Sequence, residues 1–200
     1  MLPYYFAAKL TDNVEDLDLN FTDFVNRVNA DLVGKFVNIA SRCAGFINKN
    51  FSGMLSRHCY NDELYQTFVA AGVTIAKYYE TLQYSKAMRE IMALADQANR
   101  FIDQQKPWVL IKNPQQQLMV QEVCSLGINL FRVLAIYLLP VLPSLGSAIT
   151  RFLNLSELTW EDRSSPLLDH KINSFIPLIQ RLELTQVTAM QQNDQILSHK

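Results

Sequence analysis

Glycine and proline are scarce in this chain, six and seven among 200 residues. That disfavours folds rich in tight turns, where glycine supplies positive φ and proline presets the bend. Charge of one sign is also missing: 18 Lys and Arg face 19 Asp and Glu, a formal net charge of −1. A non-specific nucleic-acid binder carries a general positive field, so any contact with RNA has to be local. Cysteine is limited to Cys43, Cys59 and Cys124, widely spaced and without a CxxC pair. Neither a disulfide framework nor a metal site is expected, and a reducing cytoplasm is the expected setting. His58 beside Cys59 does not make a ligand pair, because neighbours on a helix point about 100° apart. The longest apolar run, residues 126–146, is interrupted by Arg132 and Pro140. It reads as a core helix, not as a membrane span. The first residues lack the basic region and cleavage site of a signal peptide, so a soluble chain with no membrane partner is expected.

What the chain does have is helical periodicity. With 49% hydrophobic and 18% charged residues it has the composition of a globular domain able to bury a core. A short helix is expected over residues 4–10, then an acidic link over 11–20. A long helix opens near Thr22, with Asp23 at its positive end, and runs to about residue 50. Further helices are expected over 61–81, capped by Asn61, and from about 85 to Lys106. The residue before a proline is pushed out of the α region, so Lys106-Pro107 stops that helix. Asn113-Pro114 is a cap followed by proline at the first helical position and opens a helix to about 139. A shorter helix follows over 144–154. Residues 155–183, with Pro166 and Pro177, read as a strap over the bundle, and the polar end as a frayed helix. The expected fold is all-α: an antiparallel helix bundle over residues 21–154, preceded by residues 1–20 and closed by a C-terminal strap and tail over 155–200.

On a 3.6-residue wheel the long helix has two faces. Leu32, Phe36, Ala40, Cys43 and Ile47 form the core side. Nearly opposite lie Lys35, Asn38, Arg42, Gly45 and Lys49, which fit an ordinary solvated face. They also fit an RNA-reading strip, since Arg and Asn hydrogen-bond base edges in pairs, Gly45 admits a close backbone, and Lys35 and Lys49 suit phosphate. Trp108 stands just past a helix stop, where Pro107 stiffens the chain. It either fills a gap between helices or offers a stacking platform for an unpaired base. Trp160 is expected to pin the strap. The carboxylates of residues 13–20 read as a solvated linker, and no set of residues suggests nucleophilic catalysis.

The stretches VNIASRCAGFINKNF (residues 37–51) and ANRFIDQQKPWVL (98–110) resemble the anticodon-binding domain of methionyl-tRNA synthetases, class I aminoacyl-tRNA synthetases. YYFAAKL, FVNRVNADLVGK, KAMREIMALADQANR, SLGINLFRVL, YLLPVLP, LTW and HKINSF agree in the order the family shows, from Tyr4 to about Glu183. The resemblance implies a helical bundle of the class I anticodon-binding type that reads the CAU anticodon of tRNA(Met). Asn38 and Arg42 match the base-reading helix, Trp108 the tryptophan that stacks on the first anticodon base, and Pro107 the proline beside it. Asp103 falls where the family has an acidic residue that repels wrong anticodons. Neither a HIGH-type motif nor a KMSKS loop occurs. The parent enzyme is therefore implied to be a methionine–tRNA ligase using ATP and Mg2+, with no cofactor and no catalysis expected in this part alone. Residues 1–20 would follow a missing catalytic domain, the intramolecular partner, with Met1 an artificial start. Phe175 and Ile176 would be a severed interface with that domain. The partner implied is the anticodon stem-loop, not DNA. The competing expectation is a helical scaffold whose strip docks a protein. An intact enzyme in its own right is disfavoured by the missing nucleotide-binding signatures.

Overall fold

In the computed structural model, residues 1–10, 19–185 and 187 are described. The acidic link over 11–18 and most of the polar end lie outside them, so the expectations for a solvated linker and a frayed helix fall there. Eight α-helices make the framework of the described chain. They are α1 (Leu2–Lys9), α2 (Phe21–Arg27), α3 (Asn38–Phe51), α4 (Asp62–Glu80), α5 (Tyr84–Gln105), α6 (Pro107–Leu110), α7 (Gln117–Leu138) and α8 (Gly146–Leu153). Between α2 and α3 the backbone stays helical but widens into a π-helical run, Val28–Val37. The single long helix expected from the sequence is thus α2, the π run and α3 in succession.

The helix starts follow local chemistry. Asn20 accepts a hydrogen bond from the Asp23 N–H and caps α2, and Asn61 does the same for Leu64 N–H at 2.9 Å to open α4. Asn113 accepts from Gln115 N–H at 3.0 Å, and a 3-10 turn at Pro114–Gln116 leads into α7. Lys106 ends α5 in the left-handed region (φ 48, ψ 57), not in the extended conformation a following proline usually imposes. In that conformation its N–H still reaches the Ile102 carbonyl at 3.0 Å, and the chain turns straight into α6.

Helix α7 is the central post. Asn129 and Arg132 lie buried on it, as do Val120, Cys124, Ile128 and Phe131. Phe36 stacks on Phe131 (centroids 4.7 Å apart), Gly127 faces Cys43, and Ser125 Oγ accepts from Ser56 N–H at 2.7 Å. Positions rising along the long helix therefore meet falling positions on α7, so the two run antiparallel. The short α4–α5 connection makes that pair antiparallel as well, with Tyr79 against Tyr84 near the turn. The result is an up-and-down bundle with no strand among the described residues. Helix α1 packs into it, with Tyr4 and Tyr5 fully buried and Tyr4 Oη donating to Asp31 at 2.9 Å.

The strap is fastened by polar groups buried in the apolar α7. Asn129 donates to the Leu167 carbonyl and accepts from its N–H, and Arg132 donates to the carbonyls of Asp162 and Ser165. Each satisfies backbone groups that burial would otherwise leave unpaired. Trp160 packs on Tyr137 at 5.1 Å between centroids, the pinning role expected for it. Burial lifts the Tyr137 phenol to about 12. An isolated bridge joins Met54 to Lys171, and Asn29 exchanges two bonds with Leu182, each 2.8 Å. Ile176 is exposed, as expected, but Phe175 is not: its ring lies edge-on to Phe152 at 5.0 Å and is half buried.

Candidate anticodon-binding site

The polar side of the long helix is not open to solvent along its length. Lys35 donates to Asp96 at 2.8 Å, Asn38 to Asn99 at 3.0 Å, and Arg42 to Asp103 at 2.5 Å. All three rungs join residues 61 positions apart. A constant offset means that the long helix and α5 run parallel, which follows from their being two apart in an up-and-down bundle. The spacing of three and then four recurs in both sequences, 35-38-42 and 96-99-103, and places each trio on one helix face. That repetition is legible in the sequence, but only to a reader who knows that these two helices are neighbours. Asn99 and Asp96 were missed for that reason.

Asn99 fixes the chemistry of Asn38. Its Nδ2 donates to the carbonyls of Lys35 (3.0 Å) and Ala95 (2.9 Å), so its Oδ1 must face Asn38. Asn38 then spends an amide proton on Asn99, while its own Oδ1 accepts nothing from a described residue. The half-buried Asn38 therefore presents a free acceptor.

One turn further on, Arg42 is held between two groups. Its Nη2 bonds Asp103, and its guanidinium carbon lies 4.8 Å from the centroid of the Trp108 ring. Such a contact contributes about 0.5–1 kcal/mol at an exposed site, and a partly exposed ion pair about 0.2–1 kcal/mol. The arrangement is ordered but cheap to rearrange. Pro107 is buried and seats α6, whose first turn is closed by Val109 N–H to the Lys106 carbonyl at 2.8 Å. Trp108 is not enclosed between helices, since 38% of the residue stays exposed. It walls an open groove of about 490 Å³ together with Ser41, Arg42, Gly45, Lys49 and Ile111. A methyl group added at Gly45 would meet nothing within 4 Å, so packing does not require glycine there.

Lys35 stands apart from this groove. It is held by Asp96 and, at 3.8 Å, by Asp31, and lines a different cleft of about 450 Å³ between α1 and α5. Lys49 is exposed on the groove wall, in the position expected for it. Among the described residues no three His, Cys, Asp or Glu side chains are placed to share a metal ion. Burial raises the Cys59 thiol above its ordinary value.

A family model described as the anticodon binding domain of methionyl tRNA ligase matches residues 58–175, and a model of class I tRNA synthetases (M) matches residues 1–44. Among solved structures, the apo form of Mycobacterium tuberculosis methionyl-tRNA synthetase superposes with a TM-score of 0.81 at 18% identity, over 91% of this chain and 38% of that one. The same organism's enzyme in complex with methionyl-adenylate gives 0.74 at 17% identity, over 90% and 37%. The chain thus spans well under half the length of these two structures. They establish a shared fold.

Proposed function

The chain belongs to the family of methionyl-tRNA ligase anticodon-binding domains, and on that premise we propose that it reads the CAU anticodon of tRNA(Met) through Trp108, Arg42 and Asn38. The observation that carries the reading is the Arg42 guanidinium poised between an exposed indole and a carboxylate at the mouth of an open groove. An unpaired base stacks on Trp108, a contact worth about 1–3 kcal/mol. Pro107 holds the platform stiff, which lowers the cost of ordering it.

The first anticodon base, cytosine, has an exocyclic amine beside two acceptors. Asn38 Oδ1 is free to accept from that amine, and the remaining Arg42 N–H groups donate to the acceptors. Uracil puts a carbonyl where cytosine has its amine, so it would face the Asn38 acceptor with no proton between them. The Asp103 carboxylate beside Arg42 disfavours the same carbonyl. Lys49 is placed to meet backbone phosphate. Lys35, tied to two acids, contributes less than its place on the wheel implies.

The whole enzyme would attach methionine to tRNA in the cytoplasm, with ATP and Mg2+ handled by a catalytic domain docked within the same chain. The test is a titration of this chain with stem-loops carrying CAU or UAU at fixed salt. A good paired contact gives about 1–3 kcal/mol of discrimination, so CAU should bind roughly 5- to 150-fold more tightly. Equal affinities would refute base reading at this site. A methionine-activation assay on this chain is expected to read zero.

A further inference from the structure

A second groove, of about 710 Å³, lies on the outer face of α5 and is lined by Asp96, Asn99, Arg100, Asp103, Gln104 and Lys106. It shares a wall with the Trp108 groove, because Arg42 lines one, Asp103 lines the other, and the two side chains are bonded at 2.5 Å. Counting charges by residue type gives two acids and two bases, apparently balanced. The pairing is not balanced. Asp103 is paired with Arg42, and Asp96 with Lys35, which also faces Asp31 at 3.8 Å; both cations reach over from the long helix. Arg100 and Lys106 are exposed and pair with no described residue. The groove therefore carries a local positive surplus inside a chain whose overall charge is −1.

The backbone sets where the rim cation stands. Lys106 sits at φ 48, ψ 57, a left-handed conformation that glycine adopts freely and a residue with a side chain adopts at a cost. The same conformation ends α3 at Ser52 and α8 at Asn154, so it belongs to the way these helices stop. The side chain that makes the position costly is also the cation on the rim, two residues before the Trp108 platform.

We propose that the α5 groove is a second subsite of the same RNA track, holding the phosphodiester adjacent to the base stacked on Trp108, with Arg100 and Lys106 as its counter-charges. The inference rests on the base-reading role of Trp108. Gln104, exposed one turn from Arg100, is placed to hydrogen-bond the sugar or base of the same nucleotide. With Asp96 and Asp103 paired to Lys35 and Arg42, Arg100 and Lys106 are left to meet an anion.

The test uses this chain with CAU stem-loops between 50 and 200 mM salt. Each phosphate contact in a single strand contributes about 0.7 to the slope of log K against log salt. Lys106→Gly and Arg100→Gln should each weaken binding and flatten the slope by about that amount, so that the deficit of each variant shrinks roughly 2.5-fold across this range. Lys106→Gly should also melt at the same or a higher temperature than the parent, which separates lost affinity from lost fold, and Lys106→Arg should retain binding. Stem-loops with a neutral methylphosphonate on the 5′ or the 3′ side of the first anticodon base locate the contact. One of the two should abolish the difference between parent and Lys106→Gly. Unchanged affinity and slope in both variants would overturn the proposal, and so would a deficit that persists in full with both neutral linkages. Trp108→Ala, run in parallel, tests the stacking reading separately, since a null result there condemns that reading however Lys106 behaves.

Discussion

Replacing Gly127 by alanine should destabilise the chain, although alanine is the better helix former. Gly127 lies in the middle of α7, where a glycine costs about 0.8–1 kcal/mol relative to alanine. On propensity alone Gly127→Ala would raise stability. An added methyl, however, would overlap Cys43 Sγ, and it would lie 3.5 Å from Cys43 Cβ and 3.6 Å from Ile102 Cδ1. Both neighbours are fully buried, so neither has open space to move into. Overpacking of this kind costs about 1–3 kcal/mol, which leaves a net loss of up to about 2 kcal/mol after the propensity gain. For a chain of this size each 1 kcal/mol lowers Tm by about 2–4 °C. The sharper measurement is the cycle with Cys43→Ala, which removes the obstructing sulfur. In that background Gly127→Ala should change sign and become stabilising, with a coupling energy of about 1–3 kcal/mol. Thermal and denaturant unfolding of the four variants supply the numbers. Equal stabilisation by Gly127→Ala in both backgrounds would refute the claim that close approach of α3 and α7 requires glycine here. Arg42 immediately precedes Cys43, so the single variant should also weaken RNA binding, and the double variant should recover it.

Trp108→Ala should weaken CAU stem-loop binding by about 1–3 kcal/mol, or roughly 5- to 150-fold, whereas Trp160→Phe, which alters only strap packing, should leave it near the parent value; anisotropy of a dye-labelled stem-loop, a signal neither substitution removes, distinguishes them. Gly45→Ala should raise or preserve Tm, because the new methyl meets nothing, yet reduce RNA affinity if a strand lies against that face. Asn29→Ala removes both bonds to Leu182 and should cost about 1–3 kcal/mol, with faster amide exchange at Leu182 as the local sign. Asp162 accepts from the Thr159 N–H and hydroxyl, which hold its carboxyl below the ordinary range. The folded state therefore favours the charged form: the stabilisation is complete above the usual aspartate range and disappears as pH falls below it. Asp162→Ala should lose stability at pH 7, and the gap to the parent should close in acid.

Much of the fold was legible because burial leaves a periodic trace. Leu32, Phe36, Ala40, Cys43 and Ile47, picked from a 3.6-residue wheel, are all fully buried. The caps at Asn61 and Asn113 were also readable, because a cap is a local event decided within four residues. The polar strip was harder. Lys35, Asn38 and Arg42 look like a solvated face on the wheel, since a polar residue facing water and one facing a polar partner on another helix have the same sequence signature. Only the tertiary neighbour separates them. Trp108 was readable as an outlier, a large apolar side chain past a helix stop, but its exposure depends on how Pro107 seats α6. The strap could be located from its prolines, while its fastening could not: Asn129 and Arg132 look like interruptions of an apolar run until the backbone groups they satisfy are known.

The π-helical run has a consequence for length. Its near end carries Asn29, clipped to the strap, and it hands over to Asn38, clipped to Asn99. A π turn, bonded i→i+5, holds about one residue more than an α turn, so removing a single residue between those clips would let ordinary α-helical bonding re-form with Asn29 and Asn38 kept close to their partners. The same deletion inside α3, where no residue is spare, would turn everything downstream by about 100°. Arg42 would then swing away from Asp103. The segment therefore absorbs a deletion that the helix beyond it does not.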